Sequence, residues 1–311
     1  MSRALVTVAI PVRNGGELFA RVLAAIGRQV LDAEVEVIVA DSGSSDGSAA
    51  HARECGARVI EIPAGEFSHG ATRNLLLREA AGSHVALLSQ DAEPINEHWL
   101  EHLLGGFERD RDVALAYGPY VARPGASSAV RLELERWFGS LQAGAERLTV
   151  DERALPAVEF LGRRGFFTSA NACIARSAWE LVPFREIGYA EDRAIALDML
   201  RAGYAKVYEP LAGVVHSHEY RPRQRFARAF DEARGVQEVY GWREPLDPRH
   251  LVLQVRGELG GLRRDGAGLG TLVIASRDRL LSLAGAVLGS RASRLPATVQ
   301  RLCSLERRAS R

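Results

Sequence analysis

Apolar residues in the first hundred positions follow two different periods. Residues 5–10, 35–40, 58–62 and 84–88 are short runs rich in Val, Ile and Leu, continuous rather than alternating. Continuous runs of this length read as strands buried on both faces. Between them the spacing changes to three and four. Leu18, Phe19, Val22, Leu23 and Ile26 share one helical face, and 48–55 and 70–81 are expected to be helical. Asn96 is placed to cap a further helix whose buried face is Trp99, Leu100, Leu103, Leu104 and Phe107. Strands alternating with helices predict right-handed βαβ units and a mostly parallel sheet, so the fold class is α/β. Ligands in such sheets bind beyond the carboxyl ends of the strands. That singles out the polar loops 11–16, 41–48 and 89–94, which follow strands one, two and four.

The pattern weakens over 120–165, where 131–141 has the spacing of an amphipathic helix. It returns over 165–220, with an apolar, strand-like run at 211–215. Residues 225–240 read as a helix, and 250–311 as two or three amphipathic helices broken by glycines.

Composition changes this picture by exclusion. The 311 residues are 47% hydrophobic and 25% charged, which rules out a disordered, collagen-like or coiled-coil chain. A chain of this size buries ~75% of its unfolded surface and needs no disulfide or metal to hold a core. The longest uncharged stretches, such as 266–276 and 280–290, fall short of the ~20 apolar residues of a membrane span. The first fourteen residues lack a long apolar core and a small-residue cleavage site, so no signal peptide is expected. Cys55, Cys173 and Cys303 are scattered, which fits a reduced, cytoplasmic compartment. Lys206 is the only lysine, so no Gly-Lys-Ser/Thr phosphate loop exists. The net charge of +1 hides an asymmetry: residues 1–220 carry 22 basic and 30 acidic residues, residues 221–311 carry 18 and 9. An acidic body with a basic tail points the tail toward an anionic surface.

Several segments carry candidate chemistry, each beside a plain structural reading. In Asp41-Ser42-Gly43-Ser-Ser-Asp46-Gly, short side chains let backbone amides approach a ligand, and Asp41 can accept from a base or ribose; an ordinary polar loop with Asp caps fits as well. Gln90-Asp91-Ala92 ends a strand with a carboxylate, suited to a hard cation or to capping the next helix. Phe67-Ser-His69-Gly-Ala-Thr-Arg73-Asn74 places a cation at a helix start, for a phosphate or as a surface arginine. Glu191-Asp192 opens a helix, as base and neighbour or as dipole complement. In His216-Ser-His218, a strand would point both imidazoles the same way, toward a metal or into a structural role. Trp137, Phe138 and Trp179 suit sugar stacking, and the core reading is preferred.

In their order along the chain, strand-Pro-Val-Arg-Asn, Asp-Ser-Gly-Ser-Ser-Asp-Gly, Ser-His-Gly-x-x-Arg-Asn, Gln-Asp-Ala, Glu-Asp and His-x-His resemble the inverting glycosyltransferases of family 2. The Phe-Ser-His-Gly and Ser-Gln-Asp-Ala segments are most similar to its bacterial rhamnosyltransferase branch. The resemblance covers about residues 4–220. It implies a GT-A type nucleotide-binding sheet with flanking helices, here with a helical C-terminal extension. The catalytic domain would span 1–222, with a nucleotide half to about 118 and an acceptor half over 119–222, followed by a basic helical region 223–311.

The resemblance assigns nucleotide binding to Pro11, Arg13, Asn14, Asp41, Ser42, Gly43, His69, Arg73, Asn74 and Gln90. It assigns a divalent cation, Mg²⁺ or Mn²⁺, to Asp91 with His216 and His218, and the base to Asp192 beside Glu191. Gln90-Asp91-Ala92 departs from the usual Asp-x-Asp in having one acid. The implied donor is dTDP-L-rhamnose and the acceptor a polysaccharide or lipid-linked saccharide, with no nucleic acid involved. UDP-hexose or GDP-mannose donors, and a non-catalytic nucleotide-sugar-binding protein, are the alternatives. A sugar-nucleotide pyrophosphorylase fits worse, because Arg13-Asn-Gly-Gly16 is a poor phosphate loop and lysine is nearly absent.

Residues 276–311 hold eight arginines (277, 279, 291, 294, 301, 307, 308 and 311) against Asp278 and Glu306. Leu280, Leu281, Ala284, Val287 and Leu288, then Leu295, Val299 and Leu302, recur at helical spacing. The expectation is peripheral attachment to an anionic membrane, the inner face of the plasma membrane, against packing of these stripes on the catalytic domain.

Overall fold

The computed structural model describes residues 5–306 except 265, with backbone alone at Pro248, His250, Leu251 and Glu258. Arginines 307, 308 and 311 of the basic tail lie outside the described residues. The chain forms two units, Met1–Gly125 with Leu134–Ser217, and Ala126–Glu133 with His218–Arg311.

The first unit is built on eight strands: β1 (Leu5–Val12), β2 (Glu34–Asp41), β3 (Arg58–Glu61), β4 (His84–Leu88), β6 (Val113–Tyr117), β8 (Gly144–Glu146), β9 (Asn171–Ala175) and β10 (Ala205–Tyr208). They lie in the order β3-β2-β1-β4-β9-β6-β10-β8. A small ribbon of β5 (Glu93–Pro94), β11 (Val214–Val215) and β7 (Tyr120–Val121) accompanies them. The sheet is parallel except at β9, which runs against both β4 and β6, and at the edge strand β8. Around it lie α1 (Gly16–Gly27), α2 (Ser48–Glu54), α3 (His69–Glu79), α4 (Trp99–Gly105), α6 (Val150–Arg153), α7 (Arg176–Leu181) and α8 (Glu191–Ala202). Helix α5 (Ser128–Gly139) begins in one unit and ends in the other.

Strand β1 is buried on both faces, which is why its sequence does not alternate. Val6, Val8, Ile10 and Val12 pack with Phe19, Val22, Leu23 and Ile26 of α1 and Trp99, Leu100 and Leu103 of α4. The opposite face of the sheet packs Ala9, Ile38 and Ala40 with Leu76 and Leu77 of α3 and Ile195 and Met199 of α8. The result is a three-layer α/β/α unit. The chain order reverses between β1 and β4, so the crevice expected to bind ligand opens beyond the carboxyl ends of these two strands.

Three local expectations change. The first strand runs through Pro11 to Val12 instead of turning at 11. The Val12 carbonyl accepts from Ser42 N–H, so the backbone of Pro11 faces the β4 side, where pairing with β1 has ended at Ala9. No partner there requires the N–H that proline lacks. Asn96 does not cap α4: its Oδ1 accepts from His98 N–H at 2.9 Å in a local turn, and the helix starts at Trp99. Strand β11 stops at Val215, so His216 and His218 are not on a strand, although His216 N–H still bonds Val121 O at 2.9 Å.

The second unit contains α9 (Pro222–Tyr240), α10 (Pro248–Arg264), α11 (Leu269–Gly289) and α12 (Ala297–Cys303). Gly285 and Gly289 of α11 lie against the backbone of Phe226 and Phe230, where any side chain would collide. Asp231, fully buried in α9, accepts from Ser304 Oγ at 2.6 Å and from the N–H groups of Leu305 and Glu306 at 2.7 and 3.1 Å. The C-terminal segment is thereby tied into the core of its unit. Among the described residues no helix is long and apolar enough to cross a membrane.

Candidate active site at the switch point of the sheet

Three loops meet at the crevice and are laced together by side chains. Arg13 N–H donates to Gln90 Oε1 at 2.7 Å, and Gln90 Nε2 donates back to Arg13 O at 3.3 Å. Asn14 takes a left-handed backbone (φ 49°), which asparagine tolerates. Its N–H donates to Ser44 Oγ at 2.9 Å, and its Oδ1 accepts from Ser45 N–H at 2.8 Å. Asp46 accepts from Gly16 N–H at 2.9 Å and from Ser48 Oγ at 2.6 Å. The bonds from Ser48 hold its carboxyl below the ordinary carboxylate range. Ser42 donates its Oγ to Val12 O at 3.2 Å and so fixes the β1–β2 junction.

Asp41 ends β2 with only 4% of its surface exposed. Its Oδ2 accepts from Gly43 and Ser44 N–H at 3.2 and 3.0 Å, a turn that needs the left-handed φ of 83° at Gly43. Its Oδ1 is buried and has no hydrogen-bond partner among the described residues. Such an orphaned acceptor costs ~1–3 kcal/mol unless a donor arrives from a ligand.

The segment from Phe67 to Asn74 joins the segment opening α8. Arg73 Nη1 lies 2.5 Å from Glu191 Oε1, with both side chains almost fully buried. Asn74 is spent on the same junction: Oδ1 accepts from Trp179 Nε1 and Phe184 N–H, and Nδ2 donates to Phe184 O at 2.9 Å. His69 starts α3 with its ring edge-on to Phe67, centroids 5.0 Å apart. Arg73 therefore joins α3 to the start of α8, and Asn74 joins α3 to α7 and the segment that follows it. Trp179 and Phe138 are core residues.

Ala190 precedes α8 in a left-handed conformation (φ 63°), strained for a residue with a Cβ. It turns the chain so that Glu191 points to Arg73 while Asp192 follows at the helix start. Burial, then the Glu191 charge, push the Asp192 carboxyl up to about 6. A carboxylate with that affinity for protons is suited to accept one near neutral pH.

Asp91, at the end of the β4 loop, lies 3.4 Å from His216 Nδ1 through Oδ1. Arg123 meets its other oxygen at 3.0 Å and also donates from Nε to Ser217 O at 3.1 Å. The His216 ring stands edge-on to Tyr120, centroids 4.8 Å apart. One ligand atom each of Asp91, His216 and the exposed His218 falls within 4.8 Å of the others. A carboxylate and two imidazoles fit a divalent transition ion, Mn²⁺ better than Mg²⁺, because Mg²⁺ prefers oxygen donors throughout. Sequence reasoning missed Arg123: it lies where the hydrophobic pattern is weakest, and no motif marks it.

Fold and site together are those of a GT-A type glycosyltransferase. Residues 7–167, slightly more than half of the chain, match the family model described as glycosyl transferase family 2. The chain belongs to that family. It is 30% identical over 230 residues to the O-antigen chain rhamnosyltransferase RfbN of Salmonella typhimurium, covering 73% of this chain and 70% of that one. It is 34% identical over 201 residues to the O-antigen chain rhamnosyltransferase WbaN of Salmonella anatum, covering 63% and 61%. The fold is similar to that of the mannosyltransferase PcManGT from Pyrobaculum calidifontis, solved with GDP-Man and Mn²⁺, at a TM-score of 0.58 and 18% identity over 93% of this chain and 88% of that one.

Proposed function

We propose that this glycosyltransferase moves L-rhamnose from dTDP-L-rhamnose to a hydroxyl of a saccharide or lipid-linked acceptor, with inversion at the anomeric carbon. The donor reading rests on the relatives named rhamnosyltransferases. The observation that carries the reaction is the position of Asp192 in the first turn of α8, where burial and the Glu191 charge raise its affinity for a proton. It takes the proton of the attacking hydroxyl as the oxygen–carbon bond forms, and the bond to the diphosphate breaks with its electron pair leaving on the nucleotide. Attack from the side opposite the leaving group inverts the carbon.

The other residues bind and position. Asp41 Oδ1 accepts from the base or ribose. Arg13, Asn14, Ser42, Gly43 and Gln90 hold the loops that frame the nucleotide, with Pro11 at the end of β1 and His69 at the diphosphate side. Arg73 and Glu191 fix the start of α8. Asp91, His216 and His218 would hold a divalent cation, which would supply positive charge to offset that on the departing diphosphate. A lipid-linked acceptor would bring the enzyme to the cytoplasmic face of a membrane, and the apolar stripe exposed on α11 supports this reading.

Thermal stability with dTDP, UDP and GDP, each with Mn²⁺, Mg²⁺ or neither, tests the donor. A ligand at ~100 times its Kd adds ~2.7 kcal/mol. The largest gain is expected from dTDP with Mn²⁺, followed by rhamnose transfer from dTDP-L-rhamnose. A gain confined to UDP or GDP overturns the rhamnose assignment.

A further inference from the structure

Apart from the loops at the crevice, the first unit has a cavity of about 350 Å³, at the lower end of the range for small-molecule sites. Its walls include Tyr117 at the end of β6, Glu146 of β8, Arg163, Arg164, and Lys206 and Tyr208 of β10. Neither the family motifs nor the proposed chemistry use them.

The cavity is built around the one lysine of the chain. Lys206 is 1% exposed, and its Nζ reaches Glu146 Oε2 and Phe166 O, both at 2.9 Å. It also lies over the Tyr117 ring, 5.6 Å from the centroid. Glu146 is covered a second time, by Arg164 Nε at 3.3 Å, and Arg164 reaches on to Glu152 at 2.9 Å. The single carboxylate among the lining residues is thus covered by two cations, and Arg163 stands exposed beside them. Counting Glu152, three cations face two carboxylates, so the exposed Arg163 carries the excess positive charge of a cavity that Tyr117 and Tyr208 also line.

Phe166 links this cavity to the base. Its carbonyl holds Lys206, its ring is edge-on to Tyr117 with centroids 5.9 Å apart, and the guanidinium of Arg193, next to Asp192, lies 5.9 Å from the same ring.

We infer that this cavity is a subsite for an anionic group, a phosphate or a carboxylate, carried by the acceptor saccharide. Arg163 meets the anion, the tyrosines flank the sugar, and Lys206 with Glu146 sets the shape of the floor. The inference rests on the glycosyltransferase reading for its ligand class and not for its test.

The test is direct binding to the full chain with the nucleotide site filled by dTDP and Mn²⁺. Inorganic phosphate, glucose 1-phosphate, glucuronate and neutral glucose are titrated by isothermal calorimetry or NMR. Saturable binding of the anions but not of glucose is expected. Arg163→Glu and the space-filling Ala143→Phe should each weaken it about tenfold or more, the range for losing or blocking a charge-assisted contact, with dTDP affinity unchanged. Phosphate tighter than glucuronate identifies a phosphorylated acceptor; the reverse identifies a uronic acid. Anion binding that both folded variants retain, or equal binding of glucose, overturns the subsite. Failure of dTDP to bind any variant, with anion binding intact, counts against the donor reading and leaves the cavity assignment standing.

Discussion

Arg73 of α3 and Glu191 of α8 form an ion pair across 118 residues of sequence, 2.5 Å apart, with 8% and 7% of their side chains exposed. Two motifs that look independent in the sequence are therefore one structure. The pair also sets the environment of Asp192, because the Glu191 charge disfavours ionisation of its neighbour.

Glu191→Gln should shift the acid limb of the rate profile. Removing a negative charge and leaving Arg73 nearby both favour ionised Asp192, so its pKa falls. The pH at which kcat/KM is half-maximal on the acid side is expected to move down relative to the parent. An unmoved acid limb in a folded variant assigns that limb to another group. Arg73→Ala should instead destabilise by ~3–5 kcal/mol, the usual cost of stranding one member of a buried pair. Restored stability in Arg73→Met with Glu191→Leu would separate that electrostatic cost from lost packing.

Asp192→Asn should abolish transfer and leave nucleotide binding nearly intact. Its stability has a sign that can be checked. The folded pKa of Asp192 is raised to about 6, so the folded state holds its proton more tightly than the unfolded chain. Stability from this group is full below the unfolded value, ~4, and is lost as pH rises toward 6. The Asn variant escapes that loss. Above pH 6 it should be more stable than the parent by on the order of 1–3 kcal/mol, with the difference shrinking toward pH 4. Parallel stability curves from pH 4 to 8 would show that Asp192 is not desolvated in the folded chain.

Asp91→Ala should weaken nucleoside diphosphate binding in Mn²⁺ and change it little in EDTA, and His216→Ala should do the same more weakly. The residue to compare is Arg123, which holds the second oxygen of Asp91. Arg123→Gln frees that oxygen for a cation, so Mn²⁺ affinity measured by paramagnetic relaxation is expected to rise. Mn²⁺ binding indifferent to all three substitutions removes the cluster from the metal site.

The first half of the fold was legible because it is made of continuous apolar runs and one-sided helices, and its loops fall where strand polarity puts them. Asp41, Asp91 and Asp192 were visible as acids at element ends. Their partners were not, because a side chain's partner is set by packing between distant segments. Nothing in the sequence announces the pairing of Arg73 with Glu191. Nor does it announce the bonds that the Asn74 amide makes with Trp179 and Phe184. The antiparallel β9 was hidden because a five-residue strand with four buried positions carries no sign of direction. Arg123 has no local signal at all.

The basic C-terminal helices left two readings in the sequence, membrane attachment or packing, and α11 divides them between its faces. Leu272, Ala275, Leu283, Gly285 and Gly289 are buried. Leu269, Val273, Leu280 and Leu288 are exposed and fall on one stripe at helical spacing, with the exposed Arg277 along it. Leu281 and Val287 from the expected stripe are partly covered. A helix of 21 residues is ~30 Å long, enough for the stripe to lie along a bilayer surface, and each nearby arginine adds ~1 kcal/mol on anionic lipid. Cutting the chain near 270 would strip α11 from α9 and the Asp231 contacts, so it tests folding and not attachment. The cleaner change is Val273→Glu with Leu280→Glu, both on the exposed face, expected to alter stability by no more than about 0.5 kcal/mol per site. The parent chain should pellet with anionic liposomes at low salt and release at high salt, since screening shortens the reach of the arginines. The double variant should stay in the supernatant with its melting temperature and nucleotide binding kept. If it pellets like the parent, or if the parent ignores liposomes and sediments as a dimer that the double variant abolishes, the stripe is not a membrane surface.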